Sequence, residues 1–439
     1  MVNKKYEIII IGGGVAGTSL LYVLSNYTNI KNIALIEKCK NLGQVNSYRN
    51  NNSQTLHFGD IETNYSFEKA KKVNEASVLL KNYLDKNGKD IYIKTSKMVL
   101  AIGDEQINFI KNRIQKFKKL FPKLELINKK RIEEIEPLVV KGRNKDENIA
   151  ALYTEDGYAI NYDELSESFI QHSEKSKIEI KLCERVKKLI KKENYAVITD
   201  KGEYDSKIII VCSGAHSLVF AKKLNYGLDY GILPVAGSFF GTKKKFLNGK
   251  VYTIQMEKLP FAAIHGDPFV DNTNETRFGP TAKVLPLLER HDYSSILDFF
   301  RTSFKNLKGI LSLFKILSDL IVLKYVIKNI IYDIPLLGKR QFIKEVRKIV
   351  PTIKLNELNY KKGYGGIRPQ LVNWEKMNLE MGDAKIYGKN IIFNITPSPG
   401  ASVCLKNAEI DARKIIEFFK KNFNTNFKFD ENKFEKDLK

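Results

Sequence analysis

The sequence is poor in cysteine and histidine and has no long uncharged apolar run, and each shortage removes a class of function. Four cysteines, Cys39, Cys183, Cys212 and Cys404, are scattered over 439 residues with no CxxC pair and no Cys/His cluster. That spacing argues against a disulfide framework and against a zinc site. It also argues against the paired thiols with which disulfide reductases relay electrons beside a flavin. No apolar stretch reaches the length of about eighteen residues that a membrane-crossing helix needs, so none is expected. The first strand is expected from about Tyr6, which leaves no room ahead of it for a signal or transit peptide. Acidic residues are outnumbered, 50 against 73 Lys and Arg, for a net charge of +23. Such a surplus suits a nucleic acid or an anionic membrane surface. Here the basic residues are spread along the whole chain, and lysine, asparagine and isoleucine are abundant everywhere. Compositional drift accounts for much of the charge, and the aromatic-interleaved basic patches that nucleic-acid binding calls for are not found.

What is present begins at the N-terminus. Residues 6–11 form a continuous apolar, β-branched run, the pattern of a strand buried on both faces of a parallel sheet. Gly12-Gly13-Gly14-Val15-Ala16-Gly17 follows at once and fits GxGxxG through Gly12, Gly14 and Gly17. The first glycine permits the tight turn, the second lets backbone approach a pyrophosphate, and the third lets helix pack closely on strand. Val15 to Asn26 has helical spacing, and Ile33 to Ile36 is a second strand ending at Glu37, an acceptor suited to ribose hydroxyls. Strand, glycine turn, helix, strand and acid in this order predict a βαβ dinucleotide-binding unit with phosphates at a helix N-terminus.

Two later segments favour FAD over NAD. Ile208 to Val211 is a buried strand running into Cys212-Ser213-Gly214-Ala215, a small-residue turn that can pass beside the cofactor. Near the C-terminus a Thr396-Pro397-Ser398-Pro399-Gly400-Ala401-Ser402 turn opens a helix over residues 402–419. A helix N-terminus there would stabilise the anionic reduced ring. Between these landmarks, 50–64 reads as an active-site loop, 66–84 as helix, 91–102 as strand, 104–137 as helices and 163–172 as helix. Strands are expected at 178–182, 195–199 and 391–395, an antiparallel pocket wall between Pro234 and Thr281, and apolar helices over 294–334.

The order of these motifs resembles the D-amino-acid-oxidase type of flavoprotein superfamily, and within it the shorter members of the malate:quinone oxidoreductase family. The resemblance covers nearly the whole chain. It is carried by the glycine motif and by Asn52-Ser53-Gln54-Thr55-Leu56-His57, Ile61-Glu62-Thr63-Asn64-Tyr65, Leu233-Pro234-Val235-Ala236-Gly237-Ser238, His265-Gly266-Asp267-Pro268, Gly279-Pro280-Thr281-Ala282, Ile367-Arg368-Pro369-Gln370 and Asn394-Ile395-Thr396-Pro397-Ser398-Pro399-Gly400. It implies an α/β fold: a Rossmann-type FAD-binding domain with an α+β substrate-capping domain built on an antiparallel sheet. It further implies L-malate as electron donor, a quinone as acceptor, and peripheral attachment to a mitochondrial inner or bacterial cytoplasmic membrane. The 52–57 loop is also similar to that of L-2-hydroxyglutarate dehydrogenases, so the 2-hydroxy acid stays open at this point. The expected domain limits are 1–90, 150–225 and 360–439 for the FAD domain, and 91–149 with 226–359 for the cap. Expected cofactor contacts are Gly12, Gly14, Val15, Ala16, Gly17, Glu37, Lys38, Ser53, Gln54, Thr55, Gly214, Gly400, Ala401 and Ser402.

The chemistry narrows the substrate side. Oxidising an alcohol beside a carboxylate needs a base for the hydroxyl proton, an acceptor for the C–H electrons and cations for the carboxylates. Histidine is the natural base and arginine the natural clamp. Of five histidines, His172 and His291 read as surface residues and His216 follows the cofactor-facing Gly214. His265 and His57 remain. His265 is favoured as base over a histidine that merely bonds backbone, and His57 is divided equally between substrate and flavin contact. Arg368 is the better carboxylate clamp. Arg277 is a second candidate that could instead pair with a surface carboxylate, and Gln54 and Thr281 would supply neutral hydrogen bonds. Residues 307–337 place Ile, Leu, Val and Phe at helical spacing among Lys308, Lys315, Lys324 and Lys328. That pattern suits either a headgroup-seeking surface open to quinone or a cap with its lysines in water. Competing readings are a dehydrogenase of L-2-hydroxyglutarate or an amino acid, and a nucleic-acid-associated flavoprotein with salt-dependent binding.

Overall fold

A computed structural model describes residues 4–255, 264–305, 307–380, 384–395 and 399–439. The N-terminal run forms strand β1 (Lys4–Ile11), the glycine turn leads into helix α1 (Val15–Tyr27), and strand β2 follows (Ile33–Ile36). Ile8, Ile9 and Ile10 are fully buried, which explains the absence of polar alternation: both faces of the strand are covered. The sheet around β1 runs Lys385–Gly388, Ile391–Asn394, Glu203–Val211, β1, β2, Ile178–Lys181. All its neighbours are parallel except the first pair. A hairpin, Val186–Lys191 and Tyr195–Thr199, extends it antiparallel from Glu203–Val211. Helix Cys404–Phe423 returns against α1, and both bury apolar side chains in one core, among them Leu20, Leu24, Leu405, Ala412 and Phe419.

A second sheet has eight strands: Asn359–Tyr360, Phe240–Gly241, Asn272–Gly279, His265–Phe269, Lys250–Thr253, Tyr92–Ile102, Ile149–Ile160 and Glu125–Asn128. It is antiparallel apart from the Lys250–Thr253/Tyr92–Ile102 pair. A four-stranded sheet, Lys283–Val284, Tyr230–Ala236, Ile367–Asn373 and Asn378–Leu379, lies between the segments of the other two in sequence.

The FAD-domain-plus-cap class follows from these pairings, with one correction. The region 104–137 is not all helix, because Glu125–Asn128 adds an edge strand to Ile149–Ile160. That strand pairs along its length with Tyr92–Ile102, and Ile367–Asn373 pairs with Tyr230–Ala236. A long-range partner, invisible to local pattern, decides the edge strand. The helix expected from Ser66 runs Phe67–Asn87 with Ser66 capping Lys69 N, and the C-terminal helix begins at Cys404 rather than Ser402. Thr396, Pro397 and Ser398 of the expected turn, and residues 256–263 of the expected pocket wall, lie outside the described residues.

Candidate active site

A cavity of 520 Å³ opens along the C-terminal edge of the parallel sheet, where β1, β2 and Glu203–Val211 end. Its floor is the glycine turn. At Gly12 the backbone takes φ +108°, and a Cβ would lie 2.4 Å from the Cys212 carbonyl oxygen. At Gly17 a Cβ would lie 2.0 Å from the Gly12 carbonyl oxygen, so only glycine allows α1 to sit this close. Gly17 therefore packs behind the turn, while Gly12, Gly14, Val15 and Ala16 face the cavity. The Glu37 carboxylate accepts from Gly13 N at 2.6 Å and Cys39 N at 2.8 Å, bracing the turn from the end of β2. Lys38, also in the wall, pairs with Glu289.

Three helices begin at this cavity: α1 after Gly14, His216–Lys223 after Gly214 and Ala215, and Cys404–Phe423 after Gly400, Ala401 and Ser402. Their positive dipole ends converge on one space, which suits the phosphates and a reducible anionic ring. The cradle fits a dinucleotide: glycines where a side chain would collide, helix starts at the phosphate position and an acid at the ribose position.

The loop from Asn52 to His57 closes one side. Ser53, Thr55 and His57 line the cavity, and buried groups fasten the loop from behind. Lys250 Nζ donates to Ser53 O at 2.9 Å and to Thr55 Oγ1 at 3.0 Å, and the Thr55 hydroxyl also meets Tyr252 Oη at 2.8 Å. His57 N donates to Ser402 Oγ at 3.0 Å, tying this loop to the C-terminal helix start. The His57 ring reaches Glu62 through Nδ1 at 2.6 Å.

Arg368 lines the same cavity. Asn46 grips the preceding residue by both backbone groups, donating to Ile367 O at 2.9 Å and accepting from Ile367 N at 3.2 Å. Among the described residues Arg368 has no carboxylate partner and no hydrogen bond to its side chain. Burial lowers its pKa, opposed by the nearby hydroxyls of Tyr325 and Tyr65. Burial in turn pushes the Tyr325 phenol up to about 12, and the arginine charge partly offsets it. A partly buried guanidinium without a counter-ion, facing a cavity, is a place where an anion gains more than it does in water.

The structure does not bring every expected site residue to this space. His265 is buried in the second sheet, its ring against Tyr252 at 4.6 Å and its Nε2 3.5 Å from Asp267 Oδ1, and it does not reach the cavity wall. Arg277 is committed to buried Asp267 at 2.9 Å and to Asn52 O at 3.2 Å. Gln54 is fully buried at φ +55°, its amide nitrogen donating to Arg49 O at 3.2 Å. Thr281 Oγ1 accepts from Ser238 N at 3.0 Å. Four side chains offered for substrate thus brace the loops around it. Conversely Glu62, Tyr65, Tyr325 and Asn46 were not singled out. Only Glu62, five residues after His57, left a usable trace, and Tyr325 arrives from a helix far along the chain.

The family model described as malate:quinone oxidoreductase matches residues 4–438. The chain belongs to the malate:quinone oxidoreductase family. It is 41% identical over 441 residues to the malate:quinone oxidoreductase of Helicobacter pylori, covering 96% of each chain. It is 40% identical over 440 residues to a probable malate:quinone oxidoreductase of Campylobacter jejuni, covering 97% of this chain and 98% of that one. Among solved structures, the fold of this family member is similar to L-α-glycerophosphate oxidase from Mycoplasma pneumoniae, solved with FAD bound. That match has a TM-score of 0.66 at 19% identity, over 98% of this chain and 97% of the other. Glycine oxidase from Geobacillus kaustophilus matches with a TM-score of 0.64 at 14% identity, over 94% and 95%.

Proposed function

We propose that the chain is an FAD-dependent enzyme that oxidises L-malate to oxaloacetate and passes the electrons to a membrane quinone. The observation that carries the reading is Arg368, a partly buried cation without a partner among the described residues, lining the same cavity as the dinucleotide cradle. FAD, when bound, supplies an acceptor for the electron pair of the substrate C–H bond and a relay toward quinone. The protein does the rest. Arg368 binds a carboxylate of malate and so fixes which carbon is presented. His57, not His265, is assigned as the base, because it alone of the two lines the cavity. It takes the hydroxyl proton at Nε2 as the alcohol becomes a ketone. Ser53, Thr55 and Ser402, held by the network around Lys250 and Thr55, exclude water from that face.

Peripheral attachment rests on a different surface. No helix among the described residues is long and apolar enough to cross a membrane. Helices Leu307–Ser318 and Leu320–Ile331 nevertheless expose Leu307, Phe314 and Leu320 at 68%, 72% and 69%, among Lys308, Lys315 and Lys324. An apolar face ringed by lysines suits the headgroup region of an anionic bilayer, at the edge of the acyl layer that dissolves a quinone. The test is an anaerobic titration: the protein should be yellow, and L-malate should bleach it. Bleaching by L-2-hydroxyglutarate but not by L-malate would move the activity to that acid, and a protein that stays colourless with excess FAD would end the proposal.

A further inference from the structure

The proton-accepting histidine is not alone. His57 Nδ1 lies 2.6 Å from Glu62 Oε1, and Glu62 is buried. Burial by itself would raise the Glu62 carboxyl, but the hydrogen bond and charge of His57, with Lys97 beyond, hold it down at about 2. An ionised carboxylate can only accept, so the proton of this hydrogen bond sits on Nδ1. When His57 is neutral, Nε2 is then the ring nitrogen left with a lone pair.

Glu62 is itself held. Arg113, buried on helix Asp104–Phe117 with its guanidinium 3.8 Å over the Phe117 ring, donates to Glu62 O at 2.7 Å and Tyr65 O at 3.0 Å. Thr63 Oγ1 exchanges hydrogen bonds with Gln255 O at 3.1 Å and Gln255 N at 2.8 Å. Neighbouring Asp60 is neutralised by Lys97, whose Nζ stands 2.9 Å from both carboxylate oxygens, which leaves Glu62 free to serve His57. Among the described residues the remaining titratable groups that feel this pair are the phenols of Tyr65 and Tyr252, both pushed up by burial. None of these groups except His57 lines the cavity.

We propose that Glu62 is a positioning residue for the oxidation, fixing His57 in the Nδ1–H tautomer so that Nε2 faces substrate, and offsetting the charge that His57 gains when it accepts the hydroxyl proton. The inference rests on the assignment of His57 as base. An imidazolium formed in a buried wall without a counter-charge is costly; beside Glu62 the protonated pair is neutral overall. Arg113, clamping the backbone of the Glu62–Tyr65 turn, keeps the carboxylate in line.

The experiment follows flavin reduction by L-malate under anaerobic conditions, as a function of pH, in the FAD-loaded enzyme. Glu62→Gln keeps size and hydrogen bonding but not charge. It should slow reduction by between about 10- and 10⁴-fold, the span that a base and its orienting carboxylate contribute. KM should stay within about twofold, because the substrate carboxylate clamp is untouched. The midpoint of the rate–pH profile should move to lower pH, and flavin content and visible spectrum should be unchanged. Glu62→Asp should recover part of the rate. A Glu62→Gln enzyme with the parent's rate and pH profile overturns the inference, as does one whose only defect is loss of flavin. His57→Gln separates the two layers. If it is inactive while Glu62→Gln is normal, the positioning role fails and the base stands; if it keeps the parent's rate, both fail. Independently of any variant at 62, the ¹⁵N spectrum of the parent should show a protonated Nδ1 in a strong hydrogen bond, identified by its loss in His57→Gln. A neutral Nε2–H tautomer there overturns the inference.

Discussion

Replacing Arg368 by alanine removes a guanidinium that sits in the cavity wall with no carboxylate partner among the described residues. A planar fork bound to one substrate carboxylate makes two charge-assisted hydrogen bonds, each worth about 1.5–3 kcal/mol. The lower end for both gives about 3 kcal/mol, or on the order of a hundredfold in affinity. KM for malate should rise by that order where dissociation outruns chemistry, while FAD stays bound. Stability should move the other way. Burial depresses this guanidinium, so the substrate-free protein carries a desolvated charge without a counter-ion, and removing it should raise Tm rather than lower it. Stopped-flow flavin reduction over a range of malate concentrations gives the first quantity, a thermal melt the second, and the flavin-to-protein absorbance ratio the control. A KM change below about threefold, which is less than 1 kcal/mol, would refute the clamp. A fall in Tm, or departure of flavin with the side chain, would show that Arg368 is part of the scaffold.

Three further outcomes are expected. His57→Ala should slow flavin reduction by about 10²–10⁴-fold, whereas His265→Ala should act mainly on stability, since its ring packs on Tyr252 in the second sheet; the reverse ranking in stopped flow would return the base to His265. Lys222 is depressed to about 7 by burial and lies 3.8 Å over Trp374, the only tryptophan of the chain. Because the unfolded chain binds this proton more readily, stability should rise as pH climbs from about 7 toward 10.5. Lys222→Met should flatten that rise and abolish a Trp374 fluorescence transition near pH 7; a transition that persists unchanged assigns it elsewhere. Phe314→Glu with Leu320→Glu should weaken co-sedimentation with anionic vesicles and leave malate-driven flavin reduction in solution intact, and undiminished co-sedimentation would place the membrane face elsewhere on the surface.

Much of the nucleotide half was legible because its signals are local. A β-branched run, three glycines at fixed spacing and an acid at the end of the next strand are neighbours in sequence, and the same residues meet in space. The substrate half was legible only in part. Arg368 was recognised from its flanking glycines and proline, and it lines the cavity. Arg277 was the second candidate, yet buried Asp267 is its register partner on the adjacent strand and neutralises it. A hairpin reading of His265-Gly266-Asp267 against Thr276-Arg277-Phe278 would have exposed that pairing. His57 and His265 share loop-like, small-residue surroundings in sequence, and only the tertiary fold sends one to the cavity and the other into a core. Tyr325 could not be found locally, because its nearness to Arg368 depends on helix Leu320–Ile331 packing beside the four-stranded sheet.

The central sheet takes β1 from the start of the chain and Ile391–Asn394 from near its end, placing both beside Glu203–Val211. The helix after Ile391–Asn394 then seals α1. During synthesis the glycine turn emerges long before its covering helix, so the early βαβ piece waits with one apolar flank unsealed. Such long sequence separation makes closure slow and leaves that flank open to wrong partners in the meantime. Cofactor capture is accordingly expected late in the life of the polypeptide, and nascent chains arrested before residue 404 should take up no flavin.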